Sequence, residues 1–328
     1  MATSISPLDA GALYLYKSEE GFKTIMEWYK ALVETITIPV VSQYANTRFG
    51  RTHMLVCGPE DAEPLILVQG VASGAPLWRH QLPALSEHFR VYALDIVGQP
   101  GKSAPNPLSF VNDEYRQWLI DILDALHIEK AHFMGISTGG WKIMRLAINN
   151  PDRVNKVVLL SPMGLSHARL PWKIWFNRVM NKSKNADVLE DELTAKSVQS
   201  SRVNNRGSFG VFDRQVARGM ALCTRHFRMD RALKIYNPES GRISYIKALQ
   251  VLRRFFLSEP KSLLRKMCSE SLILLGEHEL LYNPYKVAER AKQLLPNVEV
   301  HVIPESGHGC IYDQPEKANA RIVYFLTN

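Results

Sequence analysis

The chain has 328 residues, of which 46% are apolar and 22% are charged, and its net charge is +8. This composition is that of an ordinary globular protein and excludes a disordered, fibrous or collagen-like chain. A chain of this length buries about three quarters of the surface that its unfolded form exposes, so its core needs neither disulfides nor a structural metal. Its four cysteines contain no CxxC pair and predict no disulfide framework.

The first predicted element is an amphipathic helix over Glu19–Thr35, followed by strand-like runs at Val40–Tyr44 and Thr52–Cys57. Further runs are mostly apolar along their whole length, a pattern typical of strands that helices cover on both sides, as in a parallel sheet. These runs are Leu65–Val68, Val91–Leu94, Ala131–Met134, Val157–Leu160, Leu272–Leu275 and Val298–Ile303.

Helical patterns separate most of these runs, and the alternation predicts an α/β fold with a mostly parallel sheet flanked by helices. The predicted helices are Pro76–Ser86, Tyr115–Leu126, Thr138–Asn149, Tyr285–Leu295 and Glu316–Leu326. Between Leu160 and Leu272 the chain is basic and helix-prone and has no strand of this kind. The sequence therefore predicts an N-terminal helical extension over 1–38, an α/β core over 39–163 and 269–328, and an inserted helical lid over 164–268.

The strongest chemical signal is the segment Gly135–Gly140, with the sequence GISTGG, directly after a strand and directly before a helix. A sharp strand-to-helix turn leaves no room for side chains beside its serine, which explains the flanking glycines. The turn lifts the Ser137 hydroxyl above the sheet edge, near the positive end of the helix. A bare GxSxG pattern arises often by chance, but this setting favours a nucleophile over a plain Gly-Ser turn.

A serine hydroxyl needs a base at neutral pH, and His308 is the best placed of the ten histidines. It lies in a glycine-flanked loop after the last strand run and before the last helix. The base in turn needs an anion that holds its tautomer and stabilises its charged form. Two carboxylates compete in the loop after Leu272–Leu275: we prefer Glu279, and Glu277 remains the alternative.

The chain order Ser137, Glu279, His308 is the nucleophile–acid–base order of the α/β-hydrolases, and the chain resembles that family over residues 40–326. The segment Asp95–Ser103 resembles the family's D-x-x-G-x-G-x-S loop, with the second glycine displaced by one position. A glutamate as the acid, together with two short segments, resembles the bacterial carboxylesterase group that includes the naproxen esterase. The segments are Thr47–His53 and Gly276–Glu279.

The resemblance implies an eight-stranded α/β-hydrolase sheet with an inserted helical lid, and an oxyanion hole made by the backbone N–H groups of Val71 and Thr138. The chain departs from the family at one position, since many members have His-Gly where this chain has Gln69-Gly70. Glutamine can also form hydrogen bonds, so the departure concerns the geometry of the oxyanion loop rather than the three catalytic candidates.

These residues predict a serine hydrolase that cleaves a carboxylic ester through an acyl-enzyme intermediate. We expect no cofactor and no metal, since neither metal-ligand spacing nor a GxxxxGK[ST] loop occurs. Two alternatives stay open. An acyltransferase, thioesterase or cyclase of a biosynthetic pathway would use the same acyl-enzyme, and acyl transfer or cyclisation would exclude water. A ligand-binding protein would keep the fold without turnover.

The positive charge indicates the kind of partner. Residues 165–267 hold 21 Lys and Arg against 8 Asp and Glu, whereas the rest of the chain holds 19 against 24. This interval is typical of a solvated helical surface and could also attract an anionic or carrier-bound substrate. The sequence contains no basic run of the nucleic-acid type, no secretory signal and no stretch of 18 apolar residues. We therefore expect a cytoplasmic protein that binds no nucleic acid and does not span a membrane. A homodimer remains open.

Overall fold

The structure is a computed structural model that describes residues 12–167 and 214–328. Its strands are β1 (Val41–Thr47), β2 (Gly50–Cys57), β3 (Pro64–Val68), β4 (Arg90–Leu94), β5 (Ala131–Ile136), β6 (Val154–Leu160), β7 (Tyr236–Asn237), β8 (Arg242–Ile243), β9 (Ser271–Gly276) and β10 (Val298–Ile303). Its helices are α1 (Ala12–Leu15), α2 (Glu19–Glu34), α3 (Leu82–Ser86), α4 (Glu114–Ala125), α5 (Thr138–Asn149), α6 (Arg214–His226), α7 (Met229–Ala232), α8 (Tyr245–Phe256), α9 (Lys261–Leu264), α10 (Pro284–Leu294), α11 (Cys310–Asp313) and α12 (Pro315–Thr327), with 3₁₀ turns at Ala75–Trp78 and Pro151–Arg153.

Eight strands form one sheet in the order β1-β2-β4-β3-β5-β6-β9-β10. The β1–β2 and β2–β4 pairs are antiparallel, and all the other neighbours in this sheet are parallel. The mostly parallel eight-stranded sheet predicted above is thus confirmed. Because β5, β9 and β10 run in the same direction, the loops that follow them leave from the same edge of the sheet.

Successive residues of the central strands enter two different apolar layers. Ile66 and Val68 of β3 belong to the layer under α4 and α5, whereas Leu65 and Leu67 belong to the layer under α3 and α12. Strands β3, β5 and β9 are buried on both faces or nearly so, which is why their sequences are apolar without alternation. The edge strand β10 is mostly half-buried, and its sequence VEVHVI alternates accordingly.

The predicted continuous helix over Pro76–Ser86 is wrong. The segment divides into the 3₁₀ turn Ala75–Trp78 and the short helix α3. The reason is Pro83, whose nitrogen has no hydrogen to donate and whose ring would collide with the preceding turn of a continuous helix. Each of the two short elements therefore begins with a proline in its first turn.

The N-terminal helix α2 packs against the sheet and against α6. Its N-cap Ser18 accepts a hydrogen bond from the Gly21 N–H, and its buried face includes Trp28 and Tyr29. The indole Nε1 of Trp28 donates to the Gln215 carbonyl at 3.2 Å, which joins α2 to α6. The amphipathic helix predicted over Glu19–Thr35 is therefore present.

The predicted lid, residues 164–268, lies partly outside the described residues, which omit 168–213. Its described part after that gap contains α6 to α9 and the two-stranded ribbon of β7 and β8. The domain boundaries at 38, 163 and 268 stay predictions. In the described ranges, no helix combines the length and the apolar character that a membrane crossing requires.

Candidate active site

The serine turn between β5 and α5 has a strained backbone. Ser137 has φ 56° and ψ −118°, a conformation that residues with a side chain rarely adopt. Such strain costs roughly 1–3 kcal/mol and occurs mainly at functional sites. The turn needs glycine at position 139, since a Cβ there would lie 2.1 Å from the carbonyl oxygen of Val68. The close approach predicted from the flanking glycines is therefore present.

Backbone hydrogen bonds hold this turn on the end of β6. The Ser137 N–H donates to the Leu160 carbonyl at 2.9 Å, and the Ser137 carbonyl accepts from the N–H of Met163 at 3.1 Å. Ser137 itself is half-buried, so the surrounding structure fixes its backbone while its side chain keeps some access to solvent.

His308 and Glu279 are hydrogen-bonded to each other. His308 Nδ1 lies 2.8 Å from Oε2 of Glu279, and the other oxygen of Glu279 accepts the Leu281 N–H at 2.9 Å. The Glu279 side chain is completely buried, and that of His308 is 13% exposed. With Nδ1 donating to the carboxylate, Nε2 is the nitrogen that can take up a proton.

The pKa of His308 is set by opposing effects. Burial by itself lowers this pKa, but the charge and the hydrogen bond of Glu279, together with the charge of Asp313, outweigh burial and raise the pKa above its ordinary value. A histidine with a raised pKa is a stronger base when it is neutral, which suits removal of a proton from a hydroxyl.

The alternative acid, Glu277, has a different role in the structure. Its Oε2 accepts the backbone N–H of Glu305 at 3.0 Å, and its side chain is 36% exposed. It ties the loop after β9 to the loop after β10, as does the hydrogen bond from the His278 N–H to the Ser306 carbonyl at 2.8 Å. Of the two competing carboxylates, Glu279 is the one that the structure places on His308.

Two sets of contacts join the serine turn to the His308–Glu279 pair. On one side, the hydroxyl of Tyr282, three residues past Glu279, donates to the Pro162 carbonyl at 3.3 Å, beside Met163, which binds the Ser137 carbonyl. On the other side, Gln69 binds the Tyr312 hydroxyl. Tyr312 lies four residues past His308. The loops of the three predicted catalytic residues thus leave the same edge of the sheet, and contacts between adjoining residues connect them.

The segment after β3 passes beside the nucleophile. A Cβ added to Gly70 would lie 3.7 Å from the Cβ of Ser137. Side chains fix the segment from outside, since Gln99 Oε1 accepts the Ala72 N–H at 2.9 Å and the Cys223 thiol donates to the Ala72 carbonyl at 3.5 Å. Val71, which directly precedes Ala72, is half-buried. Sequence reasoning missed Gln99, although it lies inside the segment Asp95–Ser103 that was singled out.

Gln69 occupies the position at which the chain departs from the family pattern. Its Nε2 lies 3.3 Å from the Tyr312 hydroxyl, and that hydroxyl lies 3.4 Å from its Oε1. Through this contact, Gln69 joins the segment after β3 to the segment that follows His308. Tyr312 left no signal in the sequence, because an aromatic residue on a short helix normally indicates packing.

Asp95 is a fully buried carboxylate that organises the loop after β4. Its Oδ1 accepts the Ala75 N–H at 2.7 Å. Its Oδ2 accepts the Tyr29 hydroxyl at 3.0 Å and the Lys102 N–H at 2.9 Å, and it lies 2.8 Å from Nδ1 of His53. One carboxylate therefore connects α2, β2, the loop after β4 and the 3₁₀ turn Ala75–Trp78.

The displaced glycine of the Asp95–Ser103 segment has a steric cause. Gly101 has φ 148°, and a Cβ there would lie 2.6 Å from the carboxyl carbon of Asp95. The hydroxyl of Ser103 donates to the Asp95 carbonyl at 2.6 Å and accepts the His53 N–H at 2.8 Å. The residues of this segment that resemble the family loop therefore serve to close it around Asp95.

Three comparisons with known proteins agree with this architecture. The family model described as alpha/beta hydrolase fold matches residues 63–315. The chain is 30% identical over 304 residues to the uncharacterized carboxylesterase nap of Bacillus subtilis, covering 92% of each chain, and 28% identical over 304 residues to carboxylesterase YbfK of the same organism, covering 92% of this chain and 94% of that one. The crystal structure of naproxen esterase from Bacillus subtilis superimposes with a TM-score of 0.73 at 28% identity, covering 94% of this chain and 99% of the other.

Proposed function

Because this chain belongs to the alpha/beta hydrolase fold family, we propose that it hydrolyses carboxylic esters with Ser137, His308 and Glu279 as its catalytic triad. The observation that carries the proposal is the hydrogen bond of 2.8 Å between His308 and the buried Glu279. This pair follows parallel strands at the same sheet edge as the strained turn of Ser137. The similarity to proteins named as carboxylesterases supports an ester as the substrate.

In the first half of the reaction, His308 takes the hydroxyl proton of Ser137 while the serine oxygen attacks the ester carbonyl carbon. The backbone N–H groups of Val71 and Thr138 hold the negative oxygen of the tetrahedral intermediate. When the intermediate collapses, the bond to the alcohol oxygen breaks, and His308 returns its proton to that oxygen. The alcohol leaves, and the acyl group stays on Ser137.

In the second half, neutral His308 removes a proton from water as the water oxygen attacks the acyl carbon. The tetrahedral intermediate forms again in the same oxyanion hole, and its collapse frees the carboxylic acid. His308 returns the proton to the serine oxygen, which restores the enzyme. Glu279 stabilises the charged imidazole in both halves without taking the proton itself.

The test compares Ser137→Ala with Ser262→Ala, which alters an exposed serine on α9. Ser137→Ala should lower kcat for p-nitrophenyl butyrate by about 10⁴-fold or more and abolish labelling by a fluorophosphonate, because no acyl-enzyme can form. Ser262→Ala should match the parent protein in both assays. If Ser137→Ala hydrolysed the ester as fast as the parent protein does, the proposal would be contradicted.

The same assay distinguishes hydrolysis from acyl transfer. With an activated ester or thioester, a hydrolase releases the free acid continuously in water alone. An acyltransferase gives a stoichiometric burst and stays acylated until an acceptor alcohol or amine is added. Continuous turnover in buffer is the result that we expect, and a burst without turnover would reassign the reaction to acyl transfer.

A further inference from the structure

Lys142 is a fully buried lysine beside the proposed oxyanion hole. It is only 1% exposed and lies on α5, one helical turn after Thr138. Lysine is almost never buried this completely unless a carboxylate pairs with it. In the two described ranges, 12–167 and 214–328, no carboxylate forms an ion pair with Lys142. Its ammonium group instead has two long polar contacts and two aromatic neighbours.

The polar contacts reach both segments of the proposed oxyanion hole. Lys142 Nζ lies 3.3 Å from Oγ1 of Thr138 and 3.5 Å from the carbonyl oxygen of Gln69. Thr138 directly follows the nucleophile, and its N–H is one proposed donor. Gln69 lies two residues before Val71, whose N–H is the other. The two segments already touch here, because a Cβ on Gly139 would lie 2.8 Å from the Gln69 carbonyl oxygen.

The aromatic neighbours close the other side of the ammonium group. Nζ lies 4.8 Å from the ring centre of Tyr115 and 5.6 Å from that of Phe110. The face of an aromatic ring attracts a cation, although it replaces only part of the lost hydration. The aromatic rings therefore hold the charge in place without neutralising it.

Burial of this charge destabilises the fold. Burial lowers the pKa of Lys142 from 10.5 to about 7, and in the part of the chain that the structure describes no carboxylate pairs with it to offset this effect. The side chain of methionine has a similar length. When an apolar side chain of matching volume replaces an uncompensated buried charge, the stability of the fold is unchanged or rises. A buried group that destabilises the fold is expected mainly at functional sites.

We propose that Lys142 is a positioning residue of the oxyanion hole, which joins the Gln69 carbonyl to the Thr138 hydroxyl and so fixes the N–H groups of Val71 and Thr138. The inference rests on the proposed esterase function. Lys142 contacts neither the nucleophile nor the base. Its effect therefore falls on stabilisation of the oxyanion, which exists only in the transition state and the tetrahedral intermediate, and so on kcat rather than KM.

The test is Lys142→Met, with Lys156→Met as the matched control. Lys156 also contacts a carbonyl, that of Phe325 at 3.1 Å, and an aromatic ring, but it lies near the start of β6, at the opposite end of the sheet from the site. Lys142→Met should lower kcat roughly ten-fold to a hundred-fold with KM changed less than about two-fold. Its melting temperature should rise at the same time. Lys156→Met should leave kcat unchanged.

The opposite direction of the two changes separates positioning from a merely structural role. A structural lysine would lose activity and melting temperature together, and that outcome would overturn the proposal, as would an unchanged kcat. A trifluoromethyl ketone, whose hemiketal oxygen occupies the oxyanion hole, should bind Lys142→Met more weakly by the same factor as the fall in kcat/KM. The inhibition constant of the product acid should not change.

A second variant tests the proposal with Lys142 left in place. Thr138→Val keeps the shape of the side chain and removes the hydroxyl that Nζ contacts, so it should lower kcat by a smaller factor than Lys142→Met does. In the double variant, kcat should fall by less than the product of the two separate factors. Independent losses of kcat, which multiply in the double variant, would overturn the proposal.

If the parent protein neither hydrolyses esters nor reacts with a fluorophosphonate, the proposed function fails and the role of Lys142 fails with it. If the parent protein and Lys156→Met are active and Lys142→Met is equally active, only the role of Lys142 fails.

Discussion

Two buried charges, Asp95 and Lys142, hold the segment between β3 and the following 3₁₀ turn, and they are held in opposite ways. Asp95 is completely buried and has hydrogen-bonding partners from four different parts of the chain at 2.7–3.0 Å. Lys142 is as deeply buried, but its two polar contacts are 3.3 and 3.5 Å long. Both charges act on the same segment, Asp95 through Ala75 and Lys142 through Gln69.

The difference shows how the surroundings of a buried charge indicate its role. A carboxylate whose oxygens receive several hydrogen bonds replaces its lost hydration and can stabilise the fold. An ammonium group with long contacts and no counter-charge replaces little of its hydration, so its presence costs stability. The first arrangement is that of a structural anchor. The second needs a functional reason, and the adjoining segment of the proposed oxyanion hole supplies one.

The largest effect is expected for a third buried charge, Glu279. Glu279→Gln keeps the shape of the side chain but removes the charge that raises the pKa of His308. We therefore expect kcat to fall by about 10³–10⁴-fold. Because only the charge of Asp313 then opposes the effect of burial, the pKa of His308 should drop, and the acidic limb of the pH–rate profile should move to lower pH. A profile of kcat/KM between about pH 5 and 9 measures both changes.

The matched control for Glu279 is Glu277→Gln, which alters the competing carboxylate. That variant should lose little activity, since Glu277 binds the Glu305 backbone and not His308 in the observed arrangement. If Glu277→Gln moved the acidic limb and Glu279→Gln did not, the assignment of the acid would be reversed.

The next largest effect concerns the anchor. Asp95→Asn leaves buried donors facing an amide in place of a carboxylate, and we expect the free energy of unfolding to fall by about 3–5 kcal/mol. Urea denaturation measures the change. The control is Asp121→Asn, which removes the carboxylate that pairs with the exposed guanidinium of Arg48; solvent screens this pair, so the loss should be far smaller. Equal losses in the two variants would remove the distinction between the buried anchor and a surface pair.

A smaller effect tests the destabilising charge through pH. The pKa of Lys142 is about 7 in the folded chain and 10.5 in the unfolded chain, so between these values the unfolded chain binds more protons and the stability of the parent protein rises with pH. Below about pH 7 the destabilisation is fully present. Tyr115 is the titratable group in contact with Nζ, and burial raises the pKa of its phenol far above the ordinary value, so it stays neutral over this range.

The stability gained in Lys142→Met should therefore be largest near pH 6 and shrink toward about pH 10. The difference between the melting temperatures of the two proteins, measured across that range, reports this gain in stability. A difference that is constant with pH would mean that Lys142 does not change its charge within the fold.

The smallest effect is expected for Tyr29→Phe. The variant removes one of the hydrogen bonds to Asp95, that from the phenol at 3.0 Å, and leaves the others in place. We expect a loss of roughly 1–2 kcal/mol in the free energy of unfolding, with kcat unchanged. A fall in kcat comparable to that of Lys142→Met would show that the anchor and the positioning residue are one coupled unit.

Much of the fold and the main site candidates could be predicted because they depend on local patterns. Runs such as Leu65–Val68 identify covered strands, and the glycines around Ser137 identify a turn without room for side chains. The predicted helix at Pro76–Ser86 failed because apolar spacing was given more weight than Pro83, which interrupts it. The sequence favoured Glu279 over Glu277 but left Glu277 as an alternative, since both carboxylates lie in the same loop.

The sequence by itself determined the alternation of strands and helices along the chain, the mostly parallel sheet and the sheet edge from which the loops of Ser137, Glu279 and His308 leave. These features follow from periodicity, glycine placement and chain order, which act over short distances along the chain. Only the tertiary structure decided which carboxylate meets His308, that Gln69 binds Tyr312, and that Lys142 is buried with no counter-charge among the described residues. Hydration and pairing of a charge depend on atoms brought together from distant parts of the chain, and no local pattern records them.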